Sequence, residues 1–392
     1  MLFTHLHLYP VAGEPVEDGY LLTEGGRIAA LGPMEKAPEG EPIDCGGLIA
    51  CPGFIDAHCH LGMWEDSLGF EGDDGNEETD PCTPQMRGLD AVNVLDRGFS
   101  EALEAGVTTV MTGPGSANPI AGQFCAIKTC GRCIDDMVVR APAAIKFAFG
   151  ENPKTVYNDK SQTPITRMAT AAIIREQLYK AKRYLQDIER ARQEEDGEEP
   201  EYDIKCEALL PLLRGEIPAQ MHAHRADDIF TAMRIAKEFG FRAVIVHGTG
   251  GHEVADLLKE KGARIITGPV LGTRCKPELR AMSLQGPGIL QKAGVPIALC
   301  TDHPEVPIGM LALSAGLLCE NGLDRKAALE AITLRAAQLC EIDGRVGSLQ
   351  AGRDADILFF GRDPFSLGAK PQAVLVEGQL VHGELPGMTK RV

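Results

Sequence analysis

The sequence predicts an α/β fold: a TIM-type (β/α)8 barrel over residues 51–345, with a small β-sandwich formed by both chain ends, residues 1–50 and 346–392. Three observations lead there. Between the ends, strand-like apolar runs alternate with helix-like periodic runs, the pattern of a parallel sheet or α/β barrel. Both ends read instead as short strands punctuated by turns, so two half-sheets can complete one β-domain. Histidines and acids also recur where the apolar runs stop, and on a parallel barrel all such strand ends meet at one rim.

Taken in order, residues 6–10, 19–23 and 27–31 are brief apolar runs broken by Gly25-Gly26 and Gly32-Pro33. His5 and His7 fall there and read as side chains on a small sheet, since no further ligands lie near them in sequence. The run from Leu48 to Ile55 then leads into His58 and His60. Residues 69–85 form a polar loop, 86–105 a helix candidate and 106–112 the next strand. Residues 113–119 are rich in Gly and Pro but lack the strand-to-helix glycine fingerprint for phosphates, so they read as a rim loop. Residues 143–153 are a strand ending at a turn, and a long helix follows over about 166–193. Residues 194–201 are acidic and read as a solvated loop. Strands are expected at 217–224, 243–248, 264–268 and 295–303, with a helix at 227–239. At the C-terminus, residues 345–360 end in a strand, and 372–376 and 379–382 pair across Glu377-Gly378, a hairpin signal.

Composition narrows the function. A formal net charge of −17 argues against nucleic acid or an anionic membrane surface as partner, because both need clustered Lys and Arg. No apolar run reaches the ~20 residues of a membrane span. The N-terminus lacks a charged segment followed by a long apolar core, so a cytoplasmic protein is expected. The 12 cysteines fit a reducing compartment, several of them inside apolar runs. Cys130 and Cys133 form a Cys-x-x-Cys pair with no second pair nearby, which reads as two ordinary thiols.

The chemistry-bearing residues sit at strand ends. His58 and His60 are spaced i, i+2, so in a strand both point to one face, and imidazole suits zinc and related divalent metals. Lys146 or Glu151 comes at the fourth strand, His222 and His224 at the fifth, His247 at the sixth and Asp302 at the eighth. Scattered structural histidines would not be expected on successive strand ends.

Pro52-Gly53-Phe54-Ile55-Asp56-Ala57-His58-Cys59-His60 resembles the first barrel strand of the amidohydrolase superfamily, where the His-x-His holds the catalytic metal. The run from Gly347 to Ile357 is similar to that superfamily's exit from the barrel into its β-domain. The nearest resemblance is to the imidazolonepropionase-like and dipeptidase-like branch. It implies a divalent metal, zinc first, as one or two ions, on His58, His60, His247 and Asp302 together with a ligand from the fourth and from the fifth strand. Some members carry a lysine modified by carbon dioxide at the fourth strand and others a glutamate. Glu151 is preferred here, at the strand's end, with Lys146 as the alternative. At the fifth strand both histidines would face the same way. His222 is preferred as ligand on the superfamily's spacing to the next helix, which leaves His224 to face the substrate.

A divalent metal on neutral imidazoles lowers the pKa of its bound water from ~16 to ~7. Asp302 would take that water's proton and return it to the leaving nitrogen. The expected partner is a small-molecule substrate with a linear or cyclic amide. Oligomeric state stays open, a homo-oligomer being one option. A rival reading is a heterocycle deaminase, which usually has a glutamate three residues after the fifth-strand histidine; positions 225 and 227 are Arg and Asp. A second rival is a non-catalytic scaffold on the same fold, which would be expected to have lost ligands.

Overall fold

The computed structural model describes residues 1–65, 68–194 and 197–390. Part of the acidic stretch 194–201, residues 195 and 196, therefore lies outside the described residues. In chain order the N-terminal segment contributes β1 (Leu2–Leu8), β2 (Val16–Glu24), β3 (Arg27–Pro33), β4 (Pro42–Asp44) and β5 (Ile49–Pro52). The barrel strands follow: β6 (Phe54–Cys59), β7 (Val107–Thr112), β8 (Ile120–Lys128), β9 (Val138–Ala148), β10 (Ala219–Ala223), β11 (Ala243–His247), β12 (Ile265–Thr267) and β13 (Ile297–Leu299). They pair in that order in one eight-stranded sheet. The strands are rich in β-branched and small apolar residues and β6, β7 and β10 are buried along their whole length, as expected of strands covered on both faces. The ladder does not pair β6 with β13 directly. The seam is instead closed by the Asp302 N–H donating to the His58 carbonyl (3.2 Å) and the His60 N–H to the His303 carbonyl (2.8 Å).

Two parts of the barrel differ from the sequence expectation. The third strand, β8, was not foreseen, and it runs antiparallel to both β7 and β9. Only residues 113–119 separate β7 from β8, whereas a parallel crossover needs roughly a dozen residues or more. The expected helix over 86–105 is also shorter. Only α1 (Arg97–Glu104) is α-helical, opened by Asp96, whose carboxylate accepts the Gly98 N–H. Upstream, Arg87 bridges to Gln123 of β8 and residues Gly88–Asp90 form only a short 3-10 turn.

The remaining helices are α2 (Glu151–Asp159), α3 (Arg167–Ala191), α4 (Ile204–Leu213), α5 (Ala226–Phe239), α6 (Ala255–Glu260), α7 (Gly286–Lys292), α8 (Leu311–Glu320), α9 (Arg325–Ala331) and α10 (Leu334–Leu339). The long helix expected near 166–193 is α3, whose Thr166 cap accepts the Ala169 N–H. No helix among the described residues is long and apolar enough to cross a membrane.

The chain ends meet in a second eight-stranded sheet with β14 (Ile357–Phe360), β15 (Ala373–Val376) and β16 (Gln379–Gly383). Its central joint is β5 against β14, antiparallel, with Pro52 opposite Ile357 and Ala50 opposite Phe359. Residues from both ends, among them Phe3, Leu6, Leu21, Ala50, Phe359 and Leu375, form its apolar cluster. His5 and His7 lie on this sheet, paired with Asp18 and Glu17. Because β8 is reversed, its last residue, Lys128, points to the barrel end opposite the parallel strands' C-termini. There it meets Asp356 (2.5 Å) and Asp354 (3.1 Å) just before β14.

Candidate metal centre

The parallel strands carry five histidines to one end of the barrel, and all five are buried. Two groups of ligand atoms gather there, each within 4.8 Å: His222, His224 and His247, and His58, His247 and Asp302. His247 belongs to both. Asp302 Oδ1 lies 3.3 Å from His60 Nε2 and 3.7 Å from His58 Nε2, and its Oδ2 lies 3.9 Å from His247 Nε2. The structure thus brings His58, His247 and Asp302 together, His222 and His224 beside His247, and His60 beside Asp302.

Each ring is oriented through its Nδ1. His58 donates from Nδ1 to Gln220 Oε1 (2.6 Å), His60 to the Gly113 carbonyl (2.7 Å) and His247 to the Gly268 carbonyl (2.6 Å). Those acceptors carry no proton, so the Nδ1 of these three rings must, and each Nε2 keeps its lone pair. His222 Nδ1 pairs with Ser116 Oγ (3.0 Å) and His224 Nδ1 with Thr249 Oγ1 (2.7 Å). The Gln220 amide is itself set by donating to the Ala57 carbonyl (3.1 Å). Gln220, Ser116, Thr249 and the carbonyls of Gly113 and Gly268 were all missed in the sequence. Only Gln220 carried a signal: it stands two residues before His222 on the same strand, hence on the same face.

At the fourth strand the preference for Glu151 is corrected. β9 ends at Ala148, and Gly150, at φ 84°, breaks the strand, so Glu151 is the first residue of α2. Its carboxylate accepts the Glu278 N–H (3.1 Å) and belongs to neither ligand group. Strand parity does not extend across that turn. Lys146 lies within β9, opposite Gln220 in register, and its Nζ stands 2.8 Å from His58 Nε2. It is the fourth-strand side chain that points inward.

Burial dominates the electrostatics. It pushes His58, His222 and His224 well below the usual imidazole range, and neighbouring cationic groups add to the effect. It pulls the Lys146 amine down to about 7, with Asp302 opposing. Burial alone would raise Asp302, but His247, then His60 and His58, hold it well below the ordinary carboxylate range. Neutral imidazoles beside an ionised carboxylate are donors in search of a cation. Behind them Asp56 accepts from the Thr301 hydroxyl (2.5 Å) and backbone N–H, tying β6 to the segment that carries Asp302. The backbone is strained here too. His247 (φ 73°) and Asp302 (φ 55°) are non-glycine residues in the left-handed region, at about 1–3 kcal/mol each.

A divalent metal fits this arrangement on the structure's own terms. His222 Nε2 is buried without a hydrogen-bond partner, a cost of ~1–3 kcal/mol unless something else satisfies it, whereas Glu278 Oε1 is ion-paired with Lys276 Nζ (3.0 Å). His60, His222, His224 and Asp302 border a cleft of about 840 Å³, whose wall includes Trp64, Ser116, Thr249 and Lys276.

Fold and site together define a barrel hydrolase with a candidate metal-ligand cluster at its rim. A model of the amidohydrolase family matches residues 214–381. A solved amidohydrolase from Thermotoga maritima MSB8 is 39% identical, covers 98% of this chain and 100% of its own, and superposes with a TM-score of 0.94. The chain belongs to the amidohydrolase family. It is also similar to amidohydrolase tasK of Hapsidospora irregularis, 29% identical over 92% of this chain, although it spans only 39% of that protein's length. The imidazolonepropionase of Maricaulis maris is 24% identical, with 87% of each chain covered.

Proposed function

We propose that this protein is a metal-dependent hydrolase that cleaves a C–N bond, in a linear or cyclic amide, of a small molecule. The observation that carries the reading is the set of Nδ1-tethered histidines, His58, His60 and His247, whose Nε2 atoms lie within 3.9 Å of the Asp302 carboxylate. His58, His60, His247 and Asp302 would hold the ion, with His222 and Lys146 completing the set. Zinc is proposed because the donors are mainly imidazole. When bound, the ion supplies Lewis acidity and makes a nucleophile available at neutral pH.

The chain's own residues do the rest. Asp302, ionised and facing the cleft, accepts a proton from the attacking water and returns it to the leaving nitrogen. Gln220 and the carbonyls of Gly113 and Gly268 keep the imidazoles from rotating. Lys146, with its amine drawn down to about 7, is available in its neutral form to add carbon dioxide. That step forms an N–C bond, releases one proton and leaves a carbamate oxygen where an ammonium would repel the ion. The reading includes a reducing compartment, supported by buried free thiols such as Cys51, Cys59, Cys300 and Cys340.

The test is hydrolysis by the purified protein of a panel of N-acyl amino acids, dipeptides and five- and six-membered cyclic amides, before and after chelation. Activity lost with the metal and restored by zinc is expected. Failure to retain any divalent metal after incubation with zinc and dialysis would sink the proposal. Ammonia release from heterocycles, with no amide cleaved, would move the assignment to a deaminase.

A further inference from the structure

We propose that Trp64 determines the specificity of the cleft: its indole is a platform for an aromatic ring on the substrate, and the amide cleaved is an uncharged aryl amide. The inference rests on the proposed hydrolase reading and names that reading's substrate class.

Trp64 is the chain's single tryptophan, and it borders the cleft just past the end of β6. Its indole meets the His60 ring nearly at right angles (85°), with ring centroids 5.0 Å apart. His60 Nε2 is in turn 3.3 Å from Asp302 Oδ1. A ring laid on Trp64 is thus one imidazole away from the carboxylate that handles the proton, the place for an amide joined directly to that ring. The indole is also fixed from behind. Gly75 packs so closely that a Cβ there would fall 2.0 Å from Cζ2, and at Gly115 one would fall 2.8 Å from Cη2. The Gly115 N–H donates to the Gly75 carbonyl (2.8 Å), which joins the two glycines. On either side of Trp64 the backbone is tied to the same loop: the Asp74 N–H donates to the Met63 carbonyl (2.9 Å) and the Glu65 N–H to the Gly72 carbonyl (2.9 Å). Yet the tryptophan remains partly exposed. A large aromatic side chain already ordered in a cleft loses little entropy when a ligand covers it.

The rest of the lining agrees with an aryl group and disagrees with a carboxylate. Val156, Leu271, Leu279 and Met282 add apolar wall. Glu78, Glu151, Asp302 and Glu305 make the cleft acidic. Among the described residues that line it, Lys276 is the one lysine or arginine, and it is already bonded to Glu278 Oε1 (3.0 Å) and Asn152 Oδ1 (2.6 Å). A carboxylate on the substrate would meet like charge there and no uncommitted lysine or arginine. An uncharged ring finds an indole face and aliphatic side chains.

Ligand-observed NMR titration of the zinc-loaded protein tests this with three probes. Benzamide is compared with cyclohexanecarboxamide, the same amide on a ring that cannot stack, and with terephthalamate, which adds a carboxylate on the far side of the ring. Wild type is expected to bind benzamide about 2–10-fold tighter than cyclohexanecarboxamide, the gain from one aromatic pair. Apolar burial alone would favour the saturated ring. Benzamide is also expected to bind tighter than terephthalamate. Trp64→Leu is expected to lose the preference for the aromatic ring and Trp64→Phe to keep it. Because Trp64 is the one tryptophan, benzamide should change the wild-type emission saturably, so the proposal stays testable even if Trp64→Leu fails to fold. Equal affinities for the two rings in wild type, a preference kept in Trp64→Leu, or emission unmoved by bound benzamide would overturn the platform, while zinc retention and amide hydrolysis would leave the hydrolase reading standing. Terephthalamate binding as tightly as benzamide would overturn the uncharged substrate class.

Discussion

Two buried lysines at opposite ends of the barrel have opposite surroundings. Lys128, 3% exposed, meets two aspartates, and both are themselves satisfied. Arg345 bonds Asp354 (2.8 Å), and Asp356 also accepts the Glu377 N–H (3.0 Å). Lys146, fully buried, has the Nε2 of His58 as its nearest hydrogen-bonding neighbour. A buried ion that is fully paired joins two parts of a structure; one left short of counter-charge marks a place where something else binds. The closed network bonds the barrel to the terminal sheet, and the open one lies at the rim with the five histidines.

That contrast sets what substitutions should do. At the open end Asp302→Asn should reduce kcat for whichever amide proves to be the substrate by roughly 10²–10⁴-fold, as for loss of a general acid–base. Its melting temperature should not fall. Full zinc content with undiminished turnover would take the proton-transfer role from Asp302.

At the closed end the effect should be on stability. Lys128→Met strands Asp356 in the interior, and loss of one partner of a buried pair costs about 3–5 kcal/mol. Urea denaturation should show that loss while the zinc content of the folded fraction stays at the wild-type value. A variant as stable as wild type would make the two lysines alike after all.

Gln220→Leu lies between these cases. It removes the acceptor that sets His58 but no direct ligand, and such changes lower metal affinity about 10–100-fold. Competition titration with zinc measures it, and an unchanged affinity would mean that packing alone orients the ring.

The smallest signal is a slope. In metal-free protein Lys146 sheds its proton near pH 7, whereas the unfolded chain keeps it to about 10.5. The unfolded chain therefore binds more protons between those values, and stability should rise with pH across that window. Lys146→Met should flatten the rise. Identical pH–stability curves for variant and wild type would show that burial does not depress this amine.

Much of this was legible before folding. Apolar runs show where strands lie and stop, and His58, His60, His222, His224, His247 and Asp302 follow such stops, so one rim collects them. The ends of the chain likewise announced a shared β-domain through short runs and glycine-rich turns. Choosing Lys146 over Glu151 required knowing that Gly150 breaks β9, so that alternation cannot be counted past Ala148. Reversal of β8 depended on a connection too short for a crossover, and with it the placing of Lys128 at the far end. Glu278 had no local signature at all. It reaches His222 and His224 through a backbone clasp with Glu151, 127 positions away in the chain. Periodicity and turn chemistry are properties of neighbouring residues, which the amino-acid order contains; which side chains meet across a closed barrel depends on where distant loops come to rest, and only packing settles that.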